Sequence, residues 1–121
     1  MPWTYHQKSG AWHDPHGTLM HYGYSGHGDG VNNPALESKP NVGPIPRGLW
    51  QIQPAFDHPK LGPVAMRLTM QRGNTYGRTA FLIHGDNAAR NRTASEGCII
   101  LPRLIREAVA ASSDRGLLVV E

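Results

Sequence analysis

The sequence has a single cysteine, few charges and no long apolar run, and each of these shortages excludes a class of protein. Cys98 is the only cysteine, so the chain forms no internal disulfide. No apolar run approaches the length of a membrane-spanning helix, and we expect no membrane insertion. The first residues carry neither a basic segment nor an apolar core, so we expect no signal peptide. Lys and Arg are scattered singly, which argues against a nucleic-acid partner.

The chain is rich in the residues that punctuate β structure. Its 121 residues include 14 Gly and 10 Pro, while 39% are hydrophobic and only 17% are charged. This apolar content excludes disorder, and the length suffices to bury a core without metals or disulfides. Short β-type runs between turn residues predict a mainly β fold in a single domain over residues 1–121. The three tryptophans are predicted to pack in the core or at its rim: Trp3, Trp12 and Trp50.

Alternating patterns predict several short strands and one helix. Strands are expected over residues 3–7, 11–13, 18–24, 49–53, 64–70, 79–84, 99–101 and 117–120, the first three forming a meander. An apolar stripe predicts an amphipathic helix from Pro102 to Asp114, which Gly116 ends. The members of the stripe are Leu104, Ile105, Ala108 and Val109. The stretch from Ser25 to Pro46 has no periodicity and, at that length, is typical of a functional loop.

His84 ends one apolar run, and Cys98 begins another. Phe81-Leu82-Ile83 leads into His84-Gly85, and Cys98 leads into Ile99-Ile100-Leu101. If the two runs are neighbouring strands, parallel or antiparallel, the thiol and the imidazole come together. His84 would then activate the thiol by accepting its proton or by forming a thiolate–imidazolium pair. Gly97 would let nearby backbone amides approach a substrate carbonyl. In the alternative interpretation, Cys98 is a small core residue and His84 is structural.

The order of these motifs resembles the L,D-transpeptidase signature, a His-Gly followed by Ser-x-Gly-Cys. Here the signature stands as His84-Gly85 and Ser95-Glu96-Gly97-Cys98-Ile99. Type VI secretion L,D-transpeptidase effectors are the more similar subgroup, on the stretches GYSGHGDGVNNP, GPIPRGLWQI, FLIHGD and ASEGCIIL. Together these stretches lie between Gly23 and Leu101. The chain is therefore identified as a candidate member of that subgroup.

The resemblance implies a YkuD-like β-sandwich with one amphipathic helix near the C-terminus. It implies Cys98 as nucleophile and His84 as base of an L,D-carboxypeptidase or L,D-transpeptidase. Such an enzyme removes the terminal D-alanine of peptidoglycan tetrapeptide stems, or exchanges it for another D-amino acid. The implied effector is made in the bacterial cytoplasm, is secreted, and acts in the periplasm of the target cell. A cognate immunity protein and a type VI delivery component are the implied partners.

Five further residues are predicted to contact the substrate: Ser95, Tyr24, Ser25, Asp86 and Arg103. Family members usually carry an arginine two residues after the cysteine, where this chain has Ile100. The nearest arginine downstream is Arg103. Asp86 fits the effector subgroup and is predicted to hold His84 or the adjoining loop. Further candidate partners for carboxylates are Arg47, Arg78 and Arg90.

A metal-dependent peptidoglycan hydrolase is the competing enzyme class. Its candidate ligands are His13, His16, His21, His27, His84, Asp86 and Cys98. Neither a Cys-x-x-Cys nor a His-Glu-x-x-His spacing occurs, so we expect no metal and no other cofactor. A housekeeping L,D-transpeptidase of the producing cell and a non-catalytic wall-binding module are the remaining alternatives. The latter predicts that Cys98→Ala behaves like the unmodified protein.

Overall fold

The computed structural model describes residues 1–87 and 94–121, which form one ten-stranded sheet and one α-helix. The strands are β1 (Trp3–His6), β2 (Ala11–His13), β3 (Leu19–Tyr22), β4 (Tyr24–Ser25), β5 (Gly48–Ile52), β6 (Phe56–His58), β7 (Gly62–Gly73), β8 (Leu82–His84), β9 (Ile99–Ile100) and β10 (Gly116–Val120), and the helix is α1 (Arg103–Ala111). Two short 3-10 turns, Gly28–Gly30 and Pro34–Leu36, lie in the long loop between β4 and β5. No helix of the described residues has the length and apolarity needed to cross a membrane.

The sheet curls until it is nearly closed, and its strand order is β3-β2-β1-β10-β5-β7-β8-β9-β4, with β6 paired to β7. The first strand, β1, runs parallel to the last, β10, and β8 runs parallel to β9. The twelve-residue β7 pairs with β5 through its second half and with β6 and β8 through its first half. The predicted mainly β fold with one helix near the C-terminus is confirmed.

Large side chains at alternating strand positions fill the core. Trp3 and Tyr5 of β1 stand opposite Leu117 and Val119 of β10, and all four are buried. Fully burying such a side chain stabilises the fold by roughly 1.5–3 kcal/mol. The predicted packing of the tryptophans is confirmed, since Trp3, Trp12 and Trp50 are 4%, 0% and 1% exposed.

The helix is shorter than predicted, and its core-facing side includes Arg106 beside the predicted Ile105 and Val109. It ends at Ala111 rather than Asp114, because Nη1 of Arg115 donates to the carbonyls of Val109 (3.0 Å) and Ser112 (3.2 Å). These bonds satisfy carbonyls that a further turn would have used. Pro102 is the residue before the helix, and Gly116 begins β10 instead of ending α1.

The predicted apolar stripe is wrong at Leu104, which is 79% exposed. The buried residues of α1 are Arg106 and Val109. A guanidinium occupies the buried face because its Nε donates to the carbonyl of Leu101 (2.9 Å) and its Nη1 to that of Pro63 (2.8 Å). Backbone carbonyls thus satisfy a buried cation that the apolar pattern did not foresee.

Several predicted strands have different limits, among them the run expected over residues 64–70, which forms β7 from Gly62 to Gly73. The run expected over residues 79–84 becomes extended only at Leu82, because Ala80 adopts a positive φ of 64°. The run over 18–24 is split at Gly23, whose backbone approaches Ile100 so closely that a Cβ there would lie 2.3 Å from the Ile100 carbonyl oxygen. As a result β4 leaves the opening meander and pairs with β9. Strand β6 was not predicted.

Candidate active site

His84 is the last residue of β8, and Cys98 precedes the first residue of β9, the parallel neighbour of β8. Ile83 of β8 stands opposite Ile99 of β9, and His84 stands opposite Ile100. Cys98 directly precedes β9, beside Leu82. Since side chains alternate along a strand, the thiol and the imidazole project to the same face of the sheet. The predicted pairing of the two apolar runs is confirmed, in its parallel form.

Both side chains line one cavity of about 400 Å³, which we call the thiol cavity. Its other lining residues are Asn41, His58, Leu61, Thr79, Ala80, Phe81, Leu82, Ala94, Glu96 and Gly97. The Cys98 side chain is partly buried and borders the cavity, while His84 is only 2% exposed. The sulfur and the ring therefore face a common space that a small substrate group can enter.

The Cys98 thiol is held in its protonated form. Burial raises its pKa to about 11, and the neighbouring Glu96 carboxylate also raises it, against the opposing effects of a Leu82 backbone hydrogen bond and Arg78. The sulfur lies 3.7 Å from the Ala80 carbonyl oxygen, to which the S–H donates. At neutral pH the thiol is therefore uncharged until a base removes its proton.

The His84 ring keeps one nitrogen available to accept a proton. Its Nδ1 is 2.8 Å from the Gly85 carbonyl oxygen, which can only accept, so Nδ1 carries the hydrogen and Nε2 keeps its lone pair. Burial lowers the pKa of the ring, and the nearby charges of Arg106 and His58 lower it further. A neutral thiol and a neutral imidazole consequently share the cavity, which favours proton transfer over a resting ion pair.

Ser95 fixes the loop that carries the cysteine. Its Oγ donates to the Cys98 carbonyl (2.6 Å) and accepts from the backbone N–H groups of Gly97 (3.1 Å) and Gly26 (3.0 Å). The side chain is 0% exposed. Ser95 therefore binds backbone groups on both sides of the loop, and its hydroxyl does not face the thiol cavity.

Gly97 is locked between two structural contacts. The Ser25 hydroxyl, itself 0% exposed, donates to its carbonyl (3.2 Å) and accepts from the N–H of Ile45 (2.8 Å). The φ of Gly97 is +137°, and a Cβ there would lie 2.4 Å from Nη2 of Arg78. Only glycine fits these conditions. The Gly97 N–H donates to Ser95 and is therefore not available to a substrate. The Cys98 N–H, by contrast, has no acceptor within residues 1–87 and 94–121.

Arg78 holds the loop residues around the thiol cavity together. It is 7% exposed, and its guanidinium donates to the carbonyls of Pro44 (2.8 Å), Gly43 (2.9 Å) and Glu96 (3.1 Å). It donates to the Glu37 carbonyl as well. Its partners are backbone carbonyls rather than carboxylates. Of the other arginines predicted to meet a carboxylate, Arg47 pairs with Glu37 at 2.7 Å, and Arg90 lies outside the described residues.

Tyr24 and Asp86 are joined to one another. The Tyr24 hydroxyl lies 2.7 Å from Oδ1 of Asp86 and accepts from the Ala94 N–H at 3.2 Å. It thus binds both residues 86 and 94, which flank the undescribed segment 88–93. Asp86 does not line the thiol cavity and makes no hydrogen bond with His84 in the described chain.

Tyr24, Asp86 and Arg103 line a second cavity of about 610 Å³, which we call the arginine cavity. Its other lining residues are His21, Tyr22, Gly23, Leu61, Pro63, Gly85, Asn87, Ile100, Leu101, Pro102 and Arg106. Leu61 borders both cavities, and Gly85 directly follows His84. The two cavities are therefore neighbours, and together they contain six of the eight residues predicted for the site, the exceptions being Ser25 and Ser95.

Comparison with known families matches residues 20–116 to the Tlde1 domain, a stretch that contains every residue of both cavities. The chain belongs to the Tlde1 domain family. Tlde1 domains are type VI secretion effectors, a class secreted into target cells, whose partners are the secretion machinery and immunity proteins. None of the curated proteins or solved structures compared with the chain matches it.

Sequence reasoning missed two residues of this Tlde1 domain that border the cavities. His58 lines the thiol cavity, where its Nδ1 accepts from the N–H groups of Lys60 (3.0 Å) and Leu61 (3.1 Å). Arg106 lines the arginine cavity, but the sequence pattern indicated only an amphipathic helix at this position. In the described part of the chain, no group of three or more His, Cys, Asp or Glu side chains is arranged to hold a metal ion.

Proposed function

We propose that this Tlde1 domain is a cysteine-dependent L,D-carboxypeptidase and L,D-transpeptidase with a YkuD-like fold. Its substrates are peptidoglycan tetrapeptide stems, from which it removes the terminal D-alanine or exchanges it for another D-amino acid. The observation that carries the proposal is the cavity shared by Cys98 and His84, whose side chains lie on the same face of the parallel pair β8 and β9. The family match supports the effector class, and the His-Gly and Ser-x-Gly-Cys motifs support the chemistry.

The reaction begins with a proton transfer. Nε2 of His84 takes the proton of the Cys98 thiol as the sulfur attacks the carbonyl carbon of the diaminopimelate L-centre. In the free protein the S–H donates to Ala80 instead, so the side chain must turn towards the ring when substrate binds. Catalytic hydrogen bonds are commonly long in free enzymes and shorten in the substrate complex. The raised pKa of Cys98 makes the base necessary.

The tetrahedral intermediate then collapses to a thioester. The Cys98 N–H is the backbone donor available to its oxyanion, because the Gly97 N–H is bound by Ser95. The protonated His84 gives its proton to the departing D-alanine amine. Water or an incoming D-amino acid next attacks the thioester, losing a proton to His84, and the thiol is released. Gly97, Ser95 and Ser25 act in this scheme as residues that position the nucleophile.

The site of action follows from the substrate. Peptidoglycan stems lie in the periplasm of the target cell, so the secreted domain acts there, where removal of D-alanine depletes the tetrapeptides used in crosslinking. An immunity protein that protects the producing cell would block access to the thiol cavity. Expression directed to the periplasm is therefore expected to harm cells, whereas cytoplasmic expression is not.

The direct test is digestion of purified tetrapeptide muropeptides, followed by mass spectrometry. The unmodified protein should release D-alanine and leave tripeptides, and Cys98→Ala and His84→Ala should not. His16→Ala, which removes an exposed histidine far along the chain from both motifs, is the matched control and should retain activity. Equal tripeptide release by Cys98→Ala would reject the proposal. Inactivation by a chelator, with resistance to alkylation, would favour the metal-dependent class instead.

A further inference from the structure

The arginine cavity contains a buried cation that has no ionic partner among residues 1–87 and 94–121. Arg106 is 8% exposed, and none of its contacts with the described residues is an ion pair. Its Nε and Nη1 donate to the backbone carbonyls of Leu101, Pro63 and Val64. A buried charge held only by carbonyl dipoles has unused capacity to attract an anion.

The remaining nitrogen of this guanidinium lies beside the backbone of Gly85. Nη2 makes no hydrogen bond with the described residues, and a Cβ on Gly85 would lie 2.7 Å from it. Glycine at position 85 therefore leaves room for the edge of the guanidinium at the wall that follows His84. Arg103, one turn earlier on α1, lines the same cavity and is 60% exposed. Its only ion pair with the described residues is a 3.4 Å contact with Glu107.

A carboxylate faces the same space. Asp86 is exposed, lines the arginine cavity, and forms no ion pair with either arginine in the described chain. Its Oδ1 accepts from the Tyr24 hydroxyl (2.7 Å) and the Asn87 N–H (2.9 Å), which fixes the carboxylate in place. Two cationic groups and one anionic group thus border one cavity without neutralising each other. The volume of about 610 Å³ lies within the range of small-molecule sites.

We propose that the arginine cavity binds the zwitterionic end of an amino acid, with its carboxylate on Arg106 and Arg103 and its ammonium on Asp86. Two molecules in the proposed reaction bear such a zwitterionic end, and the choice of ligand rests on that proposed function. One is a free D-amino acid, whose ammonium loses a proton and leaves Asp86 before the amine attacks the thioester. The other is the branch end of diaminopimelate, which bears an amine and a carboxylate on one carbon.

Binding is tested by titrating the ¹⁵N-labelled full chain with D-alanine and following the Gly85 amide and the Arg106 Nε–H by NMR. Both signals should shift. N-acetyl-D-alanine, which lacks the ammonium, and D-alaninamide, which lacks the carboxylate, should each bind about tenfold more weakly. Arg103→Gln and Asp86→Asn should weaken D-alanine binding by a similar factor. Arg72→Gln, an exposed arginine outside the cavity, is the matched control.

The same variants separate the two sources. If exchange of D-alanine is impaired and hydrolysis is not, the cavity receives the free amino acid; if both are impaired, it receives the diaminopimelate branch. Either result supports the zwitterion site, and the circular dichroism spectrum verifies that each variant is folded. Binding of both blocked analogues as tightly as D-alanine, or D-alanine binding unaffected in both variants, would overturn it. Because Cys98→Ala should still bind D-alanine, failure of the proposed chemistry and failure of this site give different results.

Discussion

The ionisation of Cys98 gives a quantitative test of the proposed base. A pKa of about 11, against the ordinary 9.0, corresponds to a thiolate population at pH 7 that is about 100-fold smaller. The more basic thiolate is also the stronger nucleophile, by roughly tenfold over two pKa units. Alkylation of Cys98 at pH 7 should therefore be about tenfold slower than that of an exposed cysteine.

Because Cys98 is the only thiol in the sequence, its alkylation rate can be measured on the intact protein. Iodoacetamide labelling of the intact protein, followed by mass spectrometry from pH 6 to pH 11, reports Cys98 alone. The rate should rise about tenfold per pH unit and level off only near the top of this range. Glu96→Gln removes a carboxylate that raises the pKa of the thiol, so its profile should move to lower pH.

Glu107→Gln is the matched control, since Glu107 is exposed and lines neither cavity. Its profile should superimpose on that of the unmodified protein. A plateau already reached below about pH 8 would refute the reasoning, because it would mean a thiolate–imidazolium pair at rest and a different role for His84.

Two further predictions concern stability and are measured by urea unfolding. Gly97→Ala should lower the free energy of unfolding by about 2–4 kcal/mol, because the new Cβ meets Arg78. Gly77 also has a positive φ but no atom near its Cβ position, so Gly77→Ala should cost only about 1 kcal/mol. Equal losses in the two variants would contradict the contact with Arg78. Burial opposes ionisation of Glu37, but hydrogen bonds from Arg47, Gln7 and Tyr76 lower its pKa to about 2. Since the folded pKa lies below the unfolded one, up to about 3 kcal/mol of stability is present above pH 5 and is lost towards pH 2. Glu37→Gln should remove this pH dependence, and an unchanged slope would contradict the assignment.

The strands near Cys98 and His84 were predictable because their apolar runs are short, continuous and bounded by glycine. The parallel pairing of β8 with β9 was left open, since periodicity alone does not give strand direction. The limits of α1 were not predictable, because they depend on Arg115, whose partners come from the helix end and from β5. An arginine four residues beyond a helix gives no local signal of its cap.

The candidate site, too, could be predicted from the sequence only in part. A nucleophile and a base can be read from a motif, because their chemistry restricts the residue types. The roles of Ser25 and Ser95 could not be read, since a hydroxyl near a catalytic loop suits substrate contact and backbone support equally. Arg106 escaped attention because the residues one turn later, Val109 and Ala110, are apolar. The carbonyls that satisfy its buried guanidinium belong to Leu101 and to residues 42 to 43 positions away in sequence.

The guanidinium of Arg78 has a consequence for protein engineering. It bridges the stretch at residues 37–44 and the turn that precedes the nucleophile. The conformation of the short segment around Cys98 therefore depends on residues outside that segment. Grafting that segment onto another sheet would transfer the sulfur without its scaffold. Directed evolution of this turn should likewise yield epistatic pairs, in which changes near Gly43 are tolerated only alongside changes near Glu96.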